Sequence, residues 1–198
     1  GILYQPHPAF AKGDDGEFIA RPRSIALREF GPENRIYHSG SKYRIKQLVV
    51  QDAENNLKKA KVCKSSGYIL MDGCYDQEMC PFTGVSMHNN DDKEIFLDLL
   101  EMSETVSEEM DRISCEEEER VSQGYEIDIH FSIDSENMDR VSRAYLKNED
   151  EHYLNVRYIP AARMHYINKK WRSSQEKGFP MGMTSGLWKR KLQVEENA

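Results

Sequence analysis

The most regular alternation of hydrophobic and polar residues lies between residues 124 and 133, in the sequence GYEIDIHFSI. Successive side chains of a β-strand point to opposite faces, so this period of two predicts a half-buried strand. The apolar face is expected to carry Tyr125, Ile127, Ile129 and Phe131, and the solvent-facing side is expected to carry Glu126, Asp128 and His130.

A second strand signal surrounds the dipeptide Ser39-Gly40, which lies between segments that hold Ile36, Tyr43 and Ile45. Glycine adopts the positive φ angle that a tight hairpin turn needs. The two segments are therefore predicted to form a β-hairpin.

Three later segments complete the predicted elements. Residues 152–159, HYLNVRYI, have strand character that ends at Pro160, whereas residues 161–175, AARMHYINKKWRSSQ, are predicted to form a helix. Residues 94–102, EIFLDLLEM, fit either part of a helix or a strand. The whole pattern predicts an α+β fold with mainly antiparallel strands, a few helices and a degenerate zinc-ribbon-like hairpin pair.

The chain has 198 residues, a length typical of one domain. Residues 1–23 are rich in Gly, Pro and charge and show no clear period, so they are predicted to be an irregular lead-in or connector. Residues 24–198 are predicted to form a single domain that contains the degenerate ribbon at residues 62–90. Since the chain begins with Gly1 rather than Met, we expect it to be processed or to be a fragment of a longer protein.

Composition narrows the classes of protein. The formal net charge of −7 argues against a nucleic-acid binder that relies on bulk positive charge, although it permits a local basic patch. No apolar run approaches the roughly 18 residues of a membrane span, and no membrane partner is expected. Four cysteines do not resemble a secreted disulfide scaffold, so a reducing cytoplasm is the expected location.

The motifs of several enzyme classes are missing from the sequence. It has no G-x-x-x-x-G-K-[ST] phosphate loop, no G-x-S-x-G nucleophile turn and no H-E-x-x-H metal motif. We therefore predict that the chain is not an enzyme and has no catalytic residues of its own.

Residues 62–90 hold two similar turns, Cys63-x-x-Ser66-Gly67 and Cys80-x-x-Thr83-Gly84. A zinc ribbon uses two C-x-x-C pairs, and here each pair lacks its second thiol. One interpretation is a ribbon held by packing with ordinary buried thiols, and no cofactor is assigned on that basis. Two alternatives are redox use of a cysteine and a structural zinc ion, whose ligands would be Cys63, Cys74, Cys80 and His88.

Two acidic features have simple interpretations. The run Glu116–Glu119 is expected to be a solvated turn or helix face, because four consecutive carboxylates point in different directions. Glu126, Asp128 and His130 are expected to be the wet face of a strand. The alternative for these three residues is the Mg²⁺ site of a nuclease.

The C-terminal region is the main basic part of the chain. Its cations can neutralise phosphates, and its aromatic side chains can stack on unpaired bases, or else serve as core anchors. The candidate nucleic-acid-binding residues are Lys169, Lys170, Trp171, Arg172, Lys177, Lys189, Arg190 and Lys191.

Three segments, in order, resemble a known family. They are SIALREFGPENRIYHSGSKYRIKQL, the pair of turns with CxxSGY and CPxTG, and EEEERVSQGYEIDIHF followed by YIPAARMHYINKKWR and TSGLW. The set resembles the domain of unknown function at the C-terminal end of MrfA-type DEAD/DEAH-box helicases and in the DrmB subunit of DISARM anti-phage systems. The resemblance covers residues 22–191.

The resemblance implies a structural zinc ion in the family, with ligand positions that fall on Cys63, Ser66, Cys80 and Thr83 of this sequence. Ser and Thr are poor zinc ligands, so the chain departs from the family at two of the four positions. The resemblance also implies work beside a helicase motor, in bacterial DNA repair or in defence against foreign DNA.

We therefore expect a non-catalytic helicase-associated module whose partner is a DEAD/DEAH-box motor, in the same chain or in a separate subunit. DNA contact is expected through the C-terminal basic and aromatic surface. The alternatives are a protein–protein interaction module that uses the acidic segment 91–119 and a metal-dependent nuclease.

Overall fold

The structure is a computed structural model that describes residues 9–12, 18–50, 52–102, 104–110, 124–148 and 151–189. Its elements, in chain order, are β1 (Ala9–Lys12), β2 (Phe18–Arg21), α1 (Arg23–Glu29), β3 (Arg35–His38), β4 (Ser41–Leu48), β5 (Lys58–Cys63), β6 (Ile69–Met71), a 3₁₀ turn (Asp72–Cys74), β7 (Lys93–Leu99), β8 (Glu104–Glu109), β9 (Tyr125–Ser132), α2 (Ser135–Met138), β10 (Ser142–Asn148), β11 (Glu151–Tyr158) and β12 (Arg163–Trp171).

The predicted fold class is confirmed, because strands predominate and most of them pair antiparallel. The chain divides into two compact units, whereas one domain is predicted from the sequence for residues 24–198. The first unit holds the described parts of residues 1–58, 97–128 and 166–198, and the second holds those of residues 59–96 and 129–165.

The first unit contains a five-stranded sheet in the order β2-β1-β8-β4-β3. β1 pairs parallel with β8, and β4 pairs antiparallel with β3 and β8. The predicted hairpin is confirmed: Ser39 and Gly40 have φ angles of 48° and 81°, as the right-handed twist of the flanking strands favours. The buried side chains of this unit include Phe30, Ile36 and Ile45.

Helix α1 ends at a corner built by the residues that follow it. Phe30 is fully buried, and Pro32 prevents continuation of the helix. The side-chain amide of Asn34 donates hydrogen bonds to the carbonyl oxygens of Arg28 (3.2 Å) and Glu29 (2.8 Å). These bonds satisfy carbonyl groups that have no partner inside the helix.

The second unit contains antiparallel pairing of β5 with β6, and its core gathers around Cys63, Tyr68 and Cys80. β10 and β11 form a separate two-stranded ribbon. β9 pairs with β12, and both strands contribute residues to each unit.

The helix predicted for residues 161–175 is wrong, because most of this segment forms strand β12. His165 and Ile167 are buried two positions apart, which is the period of a strand rather than of a helix. Pairing with β9 supplies the tertiary contacts that a local pattern does not reveal. For residues 94–102, the sequence fits either a helix or a strand, and the structure has strand β7 in this segment.

Two strands lie inside the segment interpreted as an irregular lead-in. β1 and β2 are each four residues long, too short to show a hydrophobic period, and they are held by pairing with each other and with β8. Strand formation in this segment therefore depends on β8, a partner that is distant in the sequence.

The strand predicted at residues 124–133 is confirmed as β9, but its faces differ from the expected ones at one end. Tyr125 is buried as expected, whereas Ile129 is 55% exposed and His130 is only 8% exposed. The ring of Phe96 lies 6.3 Å from that of His130 and helps to cover it. Alternation in the sequence does not predict such local cover.

In the described part of the chain, no helix is long and apolar enough to span a membrane.

We predict that Gly186→Ala destabilises the protein more than Gly40→Ala. Both glycines have positive φ angles, so alanine costs about 1–2 kcal/mol of backbone strain at each position. A Cβ at residue 186 would also collide with the carbonyl oxygen of Leu48, whereas a Cβ at residue 40 meets open space. The clash is expected to add about 1–3 kcal/mol, measured by urea unfolding. Equal losses in the two variants would contradict the close approach of Gly186 to β4.

Candidate functional site

The two cysteine turns of the second unit have the same backbone geometry. Gly67 N–H donates to the carbonyl oxygen of Cys63 (2.8 Å), and Gly84 N–H donates to that of Cys80 (2.7 Å). The φ angles of the two glycines are 73° and 72°, in the left-handed region that favours glycine. We call this arrangement the knuckle pair, comprising residues 63–67 and 80–84.

The knuckle pair brings together the side chains of its first and second turns. Ser66 Oγ and Cys80 Sγ lie 3.5 Å apart, and Cys63 Sγ lies 3.1 Å from Ser65 Oγ. Both cysteine side chains are buried. Two thiols and two hydroxyl groups thus lie close together, in the place where the family resemblance implies a zinc ion.

Hydrogen bonds also change the acidity of one thiol. Burial raises the pKa of Cys63, but hydrogen bonds with Ser65, Ser66 and Cys80 outweigh burial and bring the pKa down to about 7. The hydroxyl groups therefore stabilise the thiolate without replacing the missing thiols as metal ligands.

Aromatic packing holds the knuckle pair in place. The rings of Tyr68 and Phe82 stack with centroids 6.1 Å apart, and Phe131 meets them edge-on at 5.5 Å and 5.0 Å. The Tyr68 hydroxyl donates to the carbonyl oxygen of Ile133 (3.1 Å) and accepts from its N–H (3.3 Å). Such pairs contribute about 0.5–1.5 kcal/mol each beyond the area that they bury.

The alternative zinc ligands do not converge. Cys74 is exposed, and exposed His88 lies 3.1 Å from the carboxylate of Glu78. Among the residues that the structure describes, no group of three or more His, Cys, Asp or Glu side chains is placed to hold a metal ion. The set Cys63, Cys74, Cys80 and His88 is therefore not gathered into a zinc site.

We predict that the double variant Ser66→Cys/Thr83→Cys binds zinc, because it completes the two C-x-x-C turns of a tetrahedral sulfur site. Elemental analysis is expected to find about one zinc ion per chain, and thermal unfolding is expected to shift upward. The single variants S66C and T83C, with three thiols each, are the matched controls and are expected to bind zinc more weakly. A metal-free double variant would contradict the knuckle geometry.

The first basic residues of the C-terminal candidate surface are held by carboxylates. Lys169 Nζ lies 3.0 Å from Glu126 Oε1 and 2.6 Å from Asp128 Oδ2, and Lys170 Nζ lies 3.5 Å from Glu126 Oε2. The hydrogen bond from Lys169 is the largest cause that lowers the pKa of Glu126. The structure thus groups two of the three nuclease candidates around a lysine, while His130 is buried.

The two tryptophans of the basic segment pack against other aromatic residues. Trp171 meets Phe179 edge-on at 4.8 Å, and its Nε1 donates to the carbonyl oxygen of Pro32 (3.4 Å). Trp188 lies 6.3 Å from the same phenylalanine ring and packs against the core of the first unit. This packing fits the interpretation of the tryptophans as core anchors.

The remaining candidates of the segment are spread along the surface. Arg172 is exposed and donates to the carbonyl oxygen of Tyr125 (3.3 Å), and Lys177 and Lys189 are exposed. Arg190 and Lys191 lie outside the described residues, as does the acidic run Glu116–Glu119.

The ribbon of β10 and β11 has no role predicted from the sequence, apart from the strand character of residues 152–159. All the side chains that the structure describes in this ribbon are exposed. The signal that was missed is the alternation RAYLK in β10, in which Arg143, Tyr145 and Lys147 share one face.

His165, on strand β12, is a buried titratable group. Its Nε2 lies 2.9 Å from Ser132 Oγ. Burial, and after it the positive charges of Arg163 and His130, lowers the pKa of His165 to about 4 from an ordinary value of 6.5. The imidazole is therefore neutral in the folded protein at neutral pH.

We predict that His165 makes the protein less stable as the pH falls from 6.5 towards 4. Across that window the unfolded chain takes up a proton at His165 and the folded chain does not, so stability is full above pH 6.5. The loss at pH 5 is roughly 2 kcal/mol, at 1.36 kcal/mol for each pH unit. Urea unfolding at pH 7.5 and pH 5 is expected to show a smaller loss in His165→Gln than in the wild type; identical losses would contradict this role.

Comparison of the chain with protein-family models, with curated proteins and with solved structures finds no match.

Proposed function

We propose that this chain is a non-catalytic helicase-associated module that supports a DNA-processing motor. The observation that carries the proposal is the knuckle pair, in which CxxSG and CPxTG fold as matched turns with their cysteines buried together. This pair is the middle one of the three ordered segments that resemble the helicase-associated family. The setting proposed with it is the bacterial cytoplasm, in DNA repair or in defence against foreign DNA.

The first resembling segment supports the same proposal by its structural role. In REFGPEN, Phe30 fills the core, Gly31 lies against the ring of Tyr125, and Asn34 caps the end of α1. Such residues specify a fold rather than a reaction. A resemblance that rests on these residues therefore supports a shared fold and, through the fold, a shared type of interaction partner.

The state of the acidic residues supports a role without chemistry. Glu126 and Asp128 both contact the ammonium of Lys169, so neither carboxylate is placed to hold a Mg²⁺ ion without first breaking an ion pair. The nuclease alternative is therefore not favoured by the described geometry.

We predict that the chain binds the DEAD/DEAH-box motor encoded upstream in the same reading frame or by the neighbouring gene. The tagged motor is expected to retain the chain through gel filtration, and its DNA-stimulated ATPase rate is expected to rise several-fold. The motor alone is the control, and the chain alone is expected to leave ATP and plasmid DNA with Mg²⁺ intact. Separate elution together with an unchanged ATPase rate would contradict the proposal.

A further inference from the structure

The ribbon of β10 and β11 separates apolar and cationic side chains onto opposite faces. The two strands pair antiparallel, with Ala144 opposite Val156 and Leu146 opposite Leu154. Residues directly opposite each other point to the same side of a ribbon, so these four share one face. The face also carries Tyr158, which is 67% exposed.

The other face carries the cations. Arg143 lies directly opposite Arg157, and Tyr145 lies directly opposite Asn155. The register shift lies between Leu146 and Lys147, and it places the extra residue on β11. Lys147 therefore keeps the alternation of β10 and shares the face of Arg143. We call this surface the cationic face, comprising Arg143, Tyr145, Lys147, Asn155 and Arg157.

Charge on the cationic face is of one sign. None of the five residues of the cationic face is acidic, although the whole chain has a formal net charge of −7 and the three acidic residues 149–151 follow β10 directly in the sequence. Within the part of the chain that the structure describes, neither Arg143 nor Lys147 has an ion-pair partner. These side chains differ in this respect from Lys169 and Lys170 of the C-terminal segment.

The repulsion between the opposed Arg143 and Arg157 would be relieved by a bound anion. Like charges directly opposite each other destabilise a strand pair. Arg157 is held in this position by the ring of Phe82, whose centroid lies 4.6 Å from the guanidinium carbon. An anionic group bound between the two guanidinium groups would turn this repulsion into two charge-assisted hydrogen-bonding contacts.

The dimensions of the face favour an extended polyanion over a single anion. Arg143 and Lys147 are four residues apart, which corresponds to about 14 Å along a strand. Along the axis of a DNA duplex, each strand presents one phosphate about every 3.4 Å, so about four base-pair steps fit this length. A two-stranded ribbon also has the width that the major groove of a duplex admits.

We propose that the cationic face of the ribbon binds a nucleic acid through its phosphate backbone. The arginines and Lys147 contact phosphates, and Tyr145 and Asn155 lie between them, where they meet sugars or base edges. This inference rests on the proposed DNA-processing role, which it deepens by naming the surface that touches the nucleic acid.

The test uses the full chain and two fluorescein-labelled probes, a 20-base-pair duplex and a single strand of the same length. Fluorescence anisotropy across a salt series is compared for the wild type and for Arg143→Gln/Lys147→Gln. The ribbon variant is expected to lose roughly tenfold in affinity for each lost contact at 0.1 M salt, and the slope of log K against log salt is expected to fall by about two.

Matched controls separate the ribbon from bulk charge. Arg28→Gln/Lys59→Gln removes two exposed cations elsewhere and changes the net charge equally, so it is expected to keep wild-type affinity. Arg143→Lys/Lys147→Arg preserves the charge of the face and is expected to keep the salt slope. Because all these side chains are exposed, no variant is expected to unfold at a lower temperature than the wild type, and Arg143→Gln also removes the repulsion from Arg157.

Three outcomes would overturn the inference. They are an absence of wild-type binding to either probe, equal losses in the ribbon and control variants, and binding to phosphatidylserine vesicles that depends on Arg143 and Lys147 while oligonucleotide binding does not. Failure here is distinguishable from failure of the proposed function, since co-elution with the motor and its ATPase rate are measured without reference to the ribbon.

Discussion

The carbonyl oxygen of Pro32 is the point on which the first unit depends. It accepts a hydrogen bond from the Tyr125 hydroxyl (2.8 Å) and another from Trp171 Nε1 (3.4 Å), which come from the paired strands β9 and β12. Gly31 is required beside it, because a Cβ there would lie 2.7 Å from Cζ of Tyr125. The same burial that makes the bond strong raises the pKa of Tyr125, so the hydroxyl stays a donor. One backbone group thus fixes α1, β9 and β12 together.

Packing holds the knuckle pair of the second unit, in which Cys63, Tyr68 and Cys80 are buried in one core. The geometry of the two turns depends on Gly67 and Gly84 and their backbone hydrogen bonds rather than on sulfur. Ser66 and Thr83 stand where the second cysteine of each C-x-x-C turn would be, and their hydroxyl groups are poor zinc ligands.

Features set by local chemistry were predictable from the sequence, and those set by distant partners were not. The Ser39-Gly40 hairpin and the two knuckle turns follow from backbone requirements of four or five consecutive residues. β12 was mistaken for a helix because its partner β9 is distant in the sequence. The ion pairs of Lys169 with Glu126 and Asp128 were not foreseen because both carboxylates lie on that partner. For the same reason His130 is buried and Ile129 is exposed, the reverse of the prediction. Phe96, which covers His130, lies on another strand, so the alternation within β9 does not predict that contact.

The distribution of charge favours the ribbon over the start of the C-terminal segment as the proposed nucleic-acid surface. A lysine already between two carboxylates gains little by turning to a phosphate, because it would give up two attractions to make one. Lys169 is in that position, and moving it would leave Glu126 and Asp128 facing an incoming polyanion. Arg143 and Lys147 lie on a strand whose sequence holds no carboxylate. In the proposed complex, a phosphate between Arg143 and Arg157 relieves a repulsion between like charges instead of breaking an attraction.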